Sequence, residues 1–229
     1  MFINFLFFKY KPIILPILVV IVIKAYLFIW SGYNFNFLSN QLADWLDVWS
    51  RWDSNVYKDI ATFGYSNPGY LAIDHWSFLS HFPPLYPFIM YLIFLLGVTS
   101  PIAGISVSII SIIGASILLY KLVLIEFKDE NVALFSVLFL NFYPTSYFTM
   151  SVYSESLFIF LVIASFYYLR REKFLFSGLC VAGAILTRNV GVVLLPVYCL
   201  SFLPKPENQF KTSLFMVASC LRDNYLSTY

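Results

Sequence analysis

Long apolar runs recur along this sequence and limit what it can fold into. A helix that crosses a membrane needs about 20 apolar residues, with a range of about 17–25. The runs are Ile13–Trp30, Leu85–Val98, Ile102–Ile125, Val132–Phe148, Leu157–Leu169 and Phe174–Leu203. Several of these runs are shorter than a full span. The last run is longer, and it forms either one tilted span or two half-spans hinged near Arg188–Gly191. We predict an all-α, polytopic transmembrane helical bundle of about six spans, with five and seven as the alternatives.

Composition excludes the other broad classes of protein. Hydrophobic residues make up 60% and charged residues 11% of the 229 positions, against about 45–50% and about 25% in a soluble domain. These values exclude a soluble enzyme, a disordered chain and a nucleic-acid binder that relies on a basic field. The net charge of +2 indicates no charged partner. We expect membrane lipids around the chain and no nucleic acid.

Charges beside the runs predict how the chain is organised. Lys9 and Lys11 place the N-terminus in the cytoplasm, and the first run is too long for a signal peptide, so we expect a retained anchor. The expected segments are 1–30, the cytoplasmic end and first transmembrane helix; 31–84, an outer or lumenal loop with amphipathic helices; 85–203, the transmembrane bundle; and 204–229, a polar tail, which suggests truncation.

The basic cluster at residues 170–173 predicts a second cytoplasmic connector. Val132–Leu169 then forms a helical hairpin whose outer tip is Ser151–Ser156, and Glu126–Asn131 lies on the cytoplasmic side. Simple alternation from the first span places Glu126–Asn131 outside instead. We therefore expect one run between residues 81 and 125 to re-enter the membrane or to cross it incompletely.

The outer loop contains the first candidate for chemistry, Asp53. If Gln41–Phe63 is one helix, its apolar residues form a single face, as in a helix that lies in the membrane interface. That face comprises Trp45, Trp49, Trp52, Val56, Ile60 and Phe63. Asp53 projects near Trp49 and Ile60, where a carboxylate is paired, protonated or functional. The alternative is that Asp53 caps a second helix beginning at Ser54, and both hold if the helix breaks there.

Two further polar groups interrupt apolar sequence. Glu155, in Tyr153-Ser154-Glu155-Ser156, stands at the edge of a span, where an acid is a functional candidate by default. Its other reading is an interfacial residue that snorkels or caps the next helix. Arg188, in Thr187-Arg188-Asn189, lies inside the last run and suits a phosphate group. The alternative for Arg188 is a structural pair with Glu155 or another acid.

The region 74–87 has structural and metal-binding readings. Three prolines in His81-Phe82-Pro83-Pro84-Leu85-Tyr86-Pro87 fix an extended entry into a span. Asp74, His75 and His81 are too few and too isolated to favour zinc. We expect no cofactor and no metal ligand, and the sequence leaves a divalent metal open.

Together these motifs resemble a known family. Trp52-Asp53, Phe82-Pro83-Pro84-Leu85-Tyr86-Pro87, Tyr153-Ser154-Glu155-Ser156 and Thr187-Arg188-Asn189 occur in the order seen in the PIG-V type of GPI mannosyltransferase and its prokaryotic relatives. That family belongs to the GT-C superfamily of polytopic glycosyltransferases. The resemblance runs from about Arg51 to Pro196.

The resemblance implies a GT-C-like mannosyltransferase that uses a polyprenyl-phosphate sugar donor, in that family dolichyl-phosphate mannose. Transfer of the hexose to a lipid-linked or glycan acceptor would invert the anomeric centre on the outer or lumenal face. Asp53 would be the general base and Arg188 would bind the donor phosphate. The substrate-positioning residues would be Trp52, Tyr153, Glu155 and Asn189. The membrane would be the plasma membrane in a prokaryote and the endoplasmic reticulum in a eukaryote.

Two departures leave other functions open. Members of that family are longer, so the chain is also consistent with an inactive fragment of such an enzyme. Trp52-Asp53-Ser54-Asn55 has no second acid in the style of Asp-x-Asp, which weakens the expectation of a metal. The competing class is a non-enzymatic polytopic membrane protein, either a transporter or an assembly subunit.

Overall fold

The computed structural model describes residues 2–38, 46, 48–66, 79 and 81–201, and this part of the chain contains helices and no strand. The α-helices are α1 Phe2–Leu38, α2 Asp53–Phe63, α3 Leu85–Phe94, α4 Ser100–Phe127, α5 Glu130–Phe142, α6 Glu155–Arg170, α7 Phe174–Thr187 and α8 Leu194–Leu200. The 3-10 helices are Gly64–Ser66, Pro144–Thr149 and Asn189–Val193. The all-α prediction is thereby confirmed.

Two compact units divide the chain, residues 1–195 and residues 196–229, and the structure describes only 196–201 of the second. In the first unit α4 is central, because it contacts α1, α3, α5 and α6. Helix α6 also packs along α7, and α2 packs on α3. Small residues allow these close approaches: Ala103, Ala115, Ala133, Ala164 and Ala184 are all fully or almost fully buried.

Two helical stretches are long and apolar enough to cross a membrane, Pro12–Tyr33 and Ser100–Phe127. Other apolar helices in the described residues are shorter: Leu85–Phe94, Glu130–Phe142, Phe174–Thr187 and Asn189–Leu200. Length and composition therefore support the predicted spans Ile13–Trp30 and Ile102–Ile125. The bundle of about six spans is not confirmed.

Local sequence explains where several helices begin and end. Asp129 caps α5, since its carboxylate accepts hydrogen bonds from the backbone N–H groups of Asn131 (2.7 Å) and Val132 (3.3 Å). Before it, Lys128 at φ 55° ends α4 in the left-handed conformation. The last apolar run is broken at Arg188, whose backbone is extended, and it continues as the 3-10 helix Asn189–Val193. A break near Arg188–Gly191 was the second alternative from the sequence.

The connector after α4 and the connector after α6 lie at one end of the first unit, because the Arg170 guanidinium donates to Glu126 Oε2 at 2.8 Å. The hairpin interpretation and simple alternation both place these two connectors on the same side, because two runs separate them, so this contact does not choose between the two.

The prediction of one helix over Gln41–Phe63 is wrong where the structure describes it. The chain is non-helical at residues 49–52, and α2 begins at Asp53. Trp49 is 1% exposed, whereas Trp52 is 69% exposed, so they share no continuous apolar face. Asp53 is exposed rather than set among apolar neighbours, and it is the first residue of α2 rather than its cap. Residues 39–45 and 47, with Trp45, lie outside the described residues.

Candidate functional site

The segment 48–53 docks on the segment 146–154, which is remote in sequence. The Trp49 ring stacks on the Tyr147 ring, with centroids 4.8 Å apart and planes 22° apart. The Val152 N–H donates to the Trp49 carbonyl at 2.9 Å, and the Tyr147 hydroxyl donates to the Val48 carbonyl. These contacts exclude a continuous helix through residues 49–52, because the Trp49 carbonyl accepts from Val152 and not from a residue one turn further along the chain.

Asp53 lies where these two segments meet. The Tyr153 hydroxyl donates to the Arg51 carbonyl at 3.0 Å, which fixes the backbone two residues before Asp53. Burial, and then the nearby Asp53 carboxylate, raise the pKa of Tyr153. The first turn of α2 adds a favourable field for an anion at this position. An exposed carboxylate at this position can accept a proton from a bound hydroxyl.

A buried tyrosine connects α2 to the loop before α6. The Tyr57 hydroxyl is 2.9 Å from Ser154 Oγ, and its ring meets Phe82 and Tyr86 edge-on at 5.2 Å and 5.0 Å. Burial is the main cause that raises the pKa of Tyr57 to about 12. Glu155 and Asp53 add to this increase, whereas Ser154 and Arg188 oppose it. Tyr57 therefore lies within electrostatic reach of three predicted site residues, Asp53, Glu155 and Arg188.

Hydrogen bonds from Ser108 on α4 hold the loop 151–153 in place. Ser108 Oγ donates to the Ser151 carbonyl at 2.7 Å and to the Tyr153 carbonyl at 3.2 Å. A Cβ on Gly104 would lie 2.5 Å from Cγ1 of Val152, so only glycine allows the loop to approach α4 this closely. The loop is therefore held rigidly where it leads into Glu155.

Glu155 and Arg188 form an ion pair between the first residue of α6 and the residue that ends α7. Each charge stands at the helix end whose dipole favours it. Their side chains are 31% and 37% exposed, and Arg188 Nη1 contacts Glu155 Oε1. Glu155 Oε2 is buried without a hydrogen-bond partner among the described residues. The guanidinium is thus oriented by one carboxylate oxygen and remains partly open to solvent, as an anion-binding group requires.

The turn after Arg188 depends on Gly191. The Gly191 N–H donates to the Arg188 carbonyl at 2.8 Å, and a Cβ there would lie 2.6 Å from the carbonyl carbon of Ala184. A side chain would push the turn away from α7 and move Arg188. Asn189 follows on the exposed surface of this turn.

The structure thus brings Asp53, Tyr153, Glu155 and Arg188 to the same end of the first unit, with Trp52 and Asn189 exposed beside them. It places His81 on the surface, and Asp74 and His75 lie outside the described residues. Within the described ranges, no three His, Cys, Asp or Glu residues are grouped to hold a metal ion.

Lys24, which was not predicted as part of this region, contacts it from α1. Its ammonium group, in a residue only 4% exposed, donates to the Ser146 carbonyl (2.9 Å) and to Thr149 Oγ1 (2.7 Å). Lys24 therefore ties α1 to the segment that carries Tyr147. A lysine inside an otherwise apolar span was the available signal, because such a residue is a functional candidate by default. Tyr57 and Ser108 had no comparable signal.

One comparison with known proteins gives a match. The model of the dolichyl-phosphate-mannose-protein mannosyltransferase family matches residues 81–221, which is more than half of the chain. The match includes Tyr153, Glu155 and Arg188, and it begins after Asp53. No curated protein and no solved structure matches the chain.

The match supports glycosyl transfer and an integral membrane protein, and it does not confirm the PIG-V family. The superfamily expected from the sequence motifs is the same, since both families are of the GT-C type. The chain belongs to the dolichyl-phosphate-mannose-protein mannosyltransferase family.

Proposed function

We propose that this protein transfers mannose from a polyprenyl-phosphate donor to an acceptor hydroxyl on the outer or lumenal face of a membrane. The observation that carries the proposal is the docking of segment 48–53 on segment 146–154. It brings the exposed Asp53 carboxylate and the Glu155–Arg188 pair within electrostatic reach of one residue, Tyr57, in a chain that belongs to a mannosyltransferase family. The acceptor is a protein or a lipid-linked glycan, and the PIG-V resemblance favours the glycan.

Asp53 acts as the general base. Its carboxylate takes the proton from the acceptor hydroxyl while that oxygen forms a bond to C1 of the sugar. The bond from C1 to the phosphate oxygen breaks at the same time, and its electron pair leaves with the lipid phosphate. Attack opposite the leaving group inverts the anomeric centre.

Arg188 binds the phosphate. A lipid phosphate leaves without protonation when a cation meets its growing charge, and a guanidinium with open donors suits that role. Glu155 positions Arg188 through the ion pair, and Tyr153 positions Asp53 by holding the Arg51 carbonyl. Asn189 contributes polar contacts to substrate from the adjoining turn.

The test is transfer of radiolabelled mannose from a polyprenyl-phosphate donor in membranes that contain the full chain. Asp53→Asn keeps the shape of the side chain and removes the base, so transfer should fall by about 10²–10⁴-fold. Asp59→Asn removes the same charge from the same helix and should retain transfer near the wild-type rate.

Two results contradict the proposal. Near-normal transfer by Asp53→Asn would show that the base is another group. No transfer by the wild-type chain, when it is inserted and stable, would reject mannosyl transfer by this chain.

A further inference from the structure

Trp52 has an unfavourable backbone conformation. Its φ is 52° and its ψ is −120°, outside the regions that residues with a side chain normally occupy. For a bulky residue such a conformation costs free energy and persists only where surrounding contacts impose it. Conformations of this kind cluster at binding and catalytic sites.

The indole does not offset this cost by burial. Trp52 is 69% exposed, whereas Trp49, three residues earlier, is 1% exposed and stacked on Tyr147. The fold therefore uses Trp49 as a core residue and holds Trp52 outside the core. The largest apolar side chain type is presented to the surroundings directly beside Asp53.

Contacts on both sides fix the backbone that carries the indole. The Arg51 carbonyl accepts from the Tyr153 hydroxyl at 3.0 Å and from the Ser54 N–H at 3.1 Å. The Trp52 carbonyl accepts from the Asn55 N–H at 3.1 Å. The side chain thus projects from a rigid base, as a binding surface requires.

We propose that the indole face of Trp52 binds the pyranose ring of the donor hexose, an inference that rests on the proposed function. The face of an aromatic ring carries partial negative charge, and the C–H groups on one side of a hexose carry partial positive charge. Contact between these two surfaces holds the sugar beside Asp53, and it leaves the hydroxyl groups of the hexose available for hydrogen bonds. Trp52 is therefore a specificity residue for the sugar part of the donor.

The experiment measures binding separately from transfer. Saturation-transfer difference NMR is recorded on the full-length chain carrying Asp53→Asn, with a short-chain polyprenyl-phosphate mannose as the probe. Trp52→Leu keeps an apolar side chain and removes the ring, while Trp52→Phe keeps a ring. Phe63→Leu is the matched control, because Phe63 is an exposed aromatic (63%) at the other end of α2.

The proposal predicts that Trp52→Leu removes the saturation of the pyranose protons, that Trp52→Phe retains most of it and that Phe63→Leu leaves it unchanged. In the transfer assay, without the Asp53 change, Trp52→Leu should raise KM for the donor roughly tenfold with little change in kcat.

Equal saturation and equal KM in Trp52→Leu would overturn the proposal and leave Trp52 as an aromatic anchor at the membrane interface. Failure of the wild-type chain to transfer mannose would reject the proposed function alone. Saturation that depends on Trp52 would still support the sugar contact in that case.

Discussion

Helix α6 carries an ion pair at each end, and the two ends are built differently. Glu155 pairs with Arg188 at its start, and Arg170 pairs with Glu126 at its finish. The side chains are similarly exposed, at 31% for Glu155 and 37% for Arg188 in the first pair, and at 29% for Arg170 and 27% for Glu126 in the second. The exposure of the ion pairs alone therefore does not distinguish the two ends.

The surroundings of the two pairs make the difference. Near Glu155 the chain brings together segments about one hundred residues apart, and it buries hydroxyl groups that bond across them. Near Arg170 short turns join neighbouring helices, and residues 171–173 are exposed. Chemistry requires fixed geometry between several groups, and the bonds across remote segments in the described residues near Glu155 are the reason to propose the site at the first end of α6.

Replacing Arg188 and Arg170 in turn should give the largest difference in mannose transfer between the two ends of α6. Arg188→Gln removes the cation proposed to meet the leaving phosphate, so transfer should fall by about 10²–10³-fold. Arg170→Gln removes the same charge from the other pair and should leave transfer within about twofold. At both ends the loss of unfolding free energy should be under about 1 kcal/mol, because partly exposed pairs contribute little.

Transfer assays and thermal unfolding of the purified variants measure the two quantities. Equal loss of transfer in Arg188→Gln and Arg170→Gln would show that both pairs act only through stability, and the distinction between the ends would be wrong.

Lys24→Met should weaken the first end through α1. The substitution keeps an apolar stem and removes two hydrogen bonds to the segment that carries Tyr147, which should lower the free energy of unfolding by about 1–3 kcal/mol. Transfer should fall less than in Arg188→Gln, because the reacting groups remain. Lys121→Met, on α4, is the control and should change both quantities little. Stability unchanged in Lys24→Met would show that α1 does not support the site.

Much of the helical pattern could be predicted from the sequence, because apolar length and helix-ending residues are local signals. The bounds of α4 and the break at Arg188 follow from such signals. The interruption of helical structure at residues 49–52, before Asp53, could not be predicted from local signals. It depends on hydrogen bonds from Val152 and Tyr153, which no periodicity within residues 41–63 can contain.

The candidate site divides in the same way. Asp53, Glu155 and Arg188 were predicted as candidates from single charges in apolar sequence, and the Glu155–Arg188 ion pair was one of the stated alternatives. The exposure of Asp53 and the role of Tyr57 required the packing of α2 on the loop before α6.

A further effect, confined to alkaline pH, is expected on the stability of the first end. The ordinary pKa of a tyrosine is 10.0, and burial raises the pKa of Tyr57 to about 12 in the folded chain. A pKa raised by folding gives stability that is fully present below the unfolded value and is lost as pH rises through the folded value. The wild-type chain should therefore lose unfolding free energy between pH 10 and about 12.

Tyr57→Phe should lose less over that interval, as measured by chemical unfolding at several alkaline pH values. Tyr143→Phe is the control, since Tyr143 is 64% exposed, and it should follow the wild type. If the free energy of unfolding fell equally with pH in the wild type, Tyr57→Phe and Tyr143→Phe, the burial of an uncharged Tyr57 would be contradicted.

The most direct test of where the chemistry occurs is photo-crosslinking with a polyprenyl-phosphate mannose analogue that carries a photoreactive group on the sugar. Peptides labelled in the full-length chain are identified by mass spectrometry, with excess unlabelled donor as competitor. The account predicts competed labelling within residues 48–57, 150–157 or 187–191, at the first end of α6. Competed labelling confined to residues 121–131 or 168–176, at the other end, would contradict it.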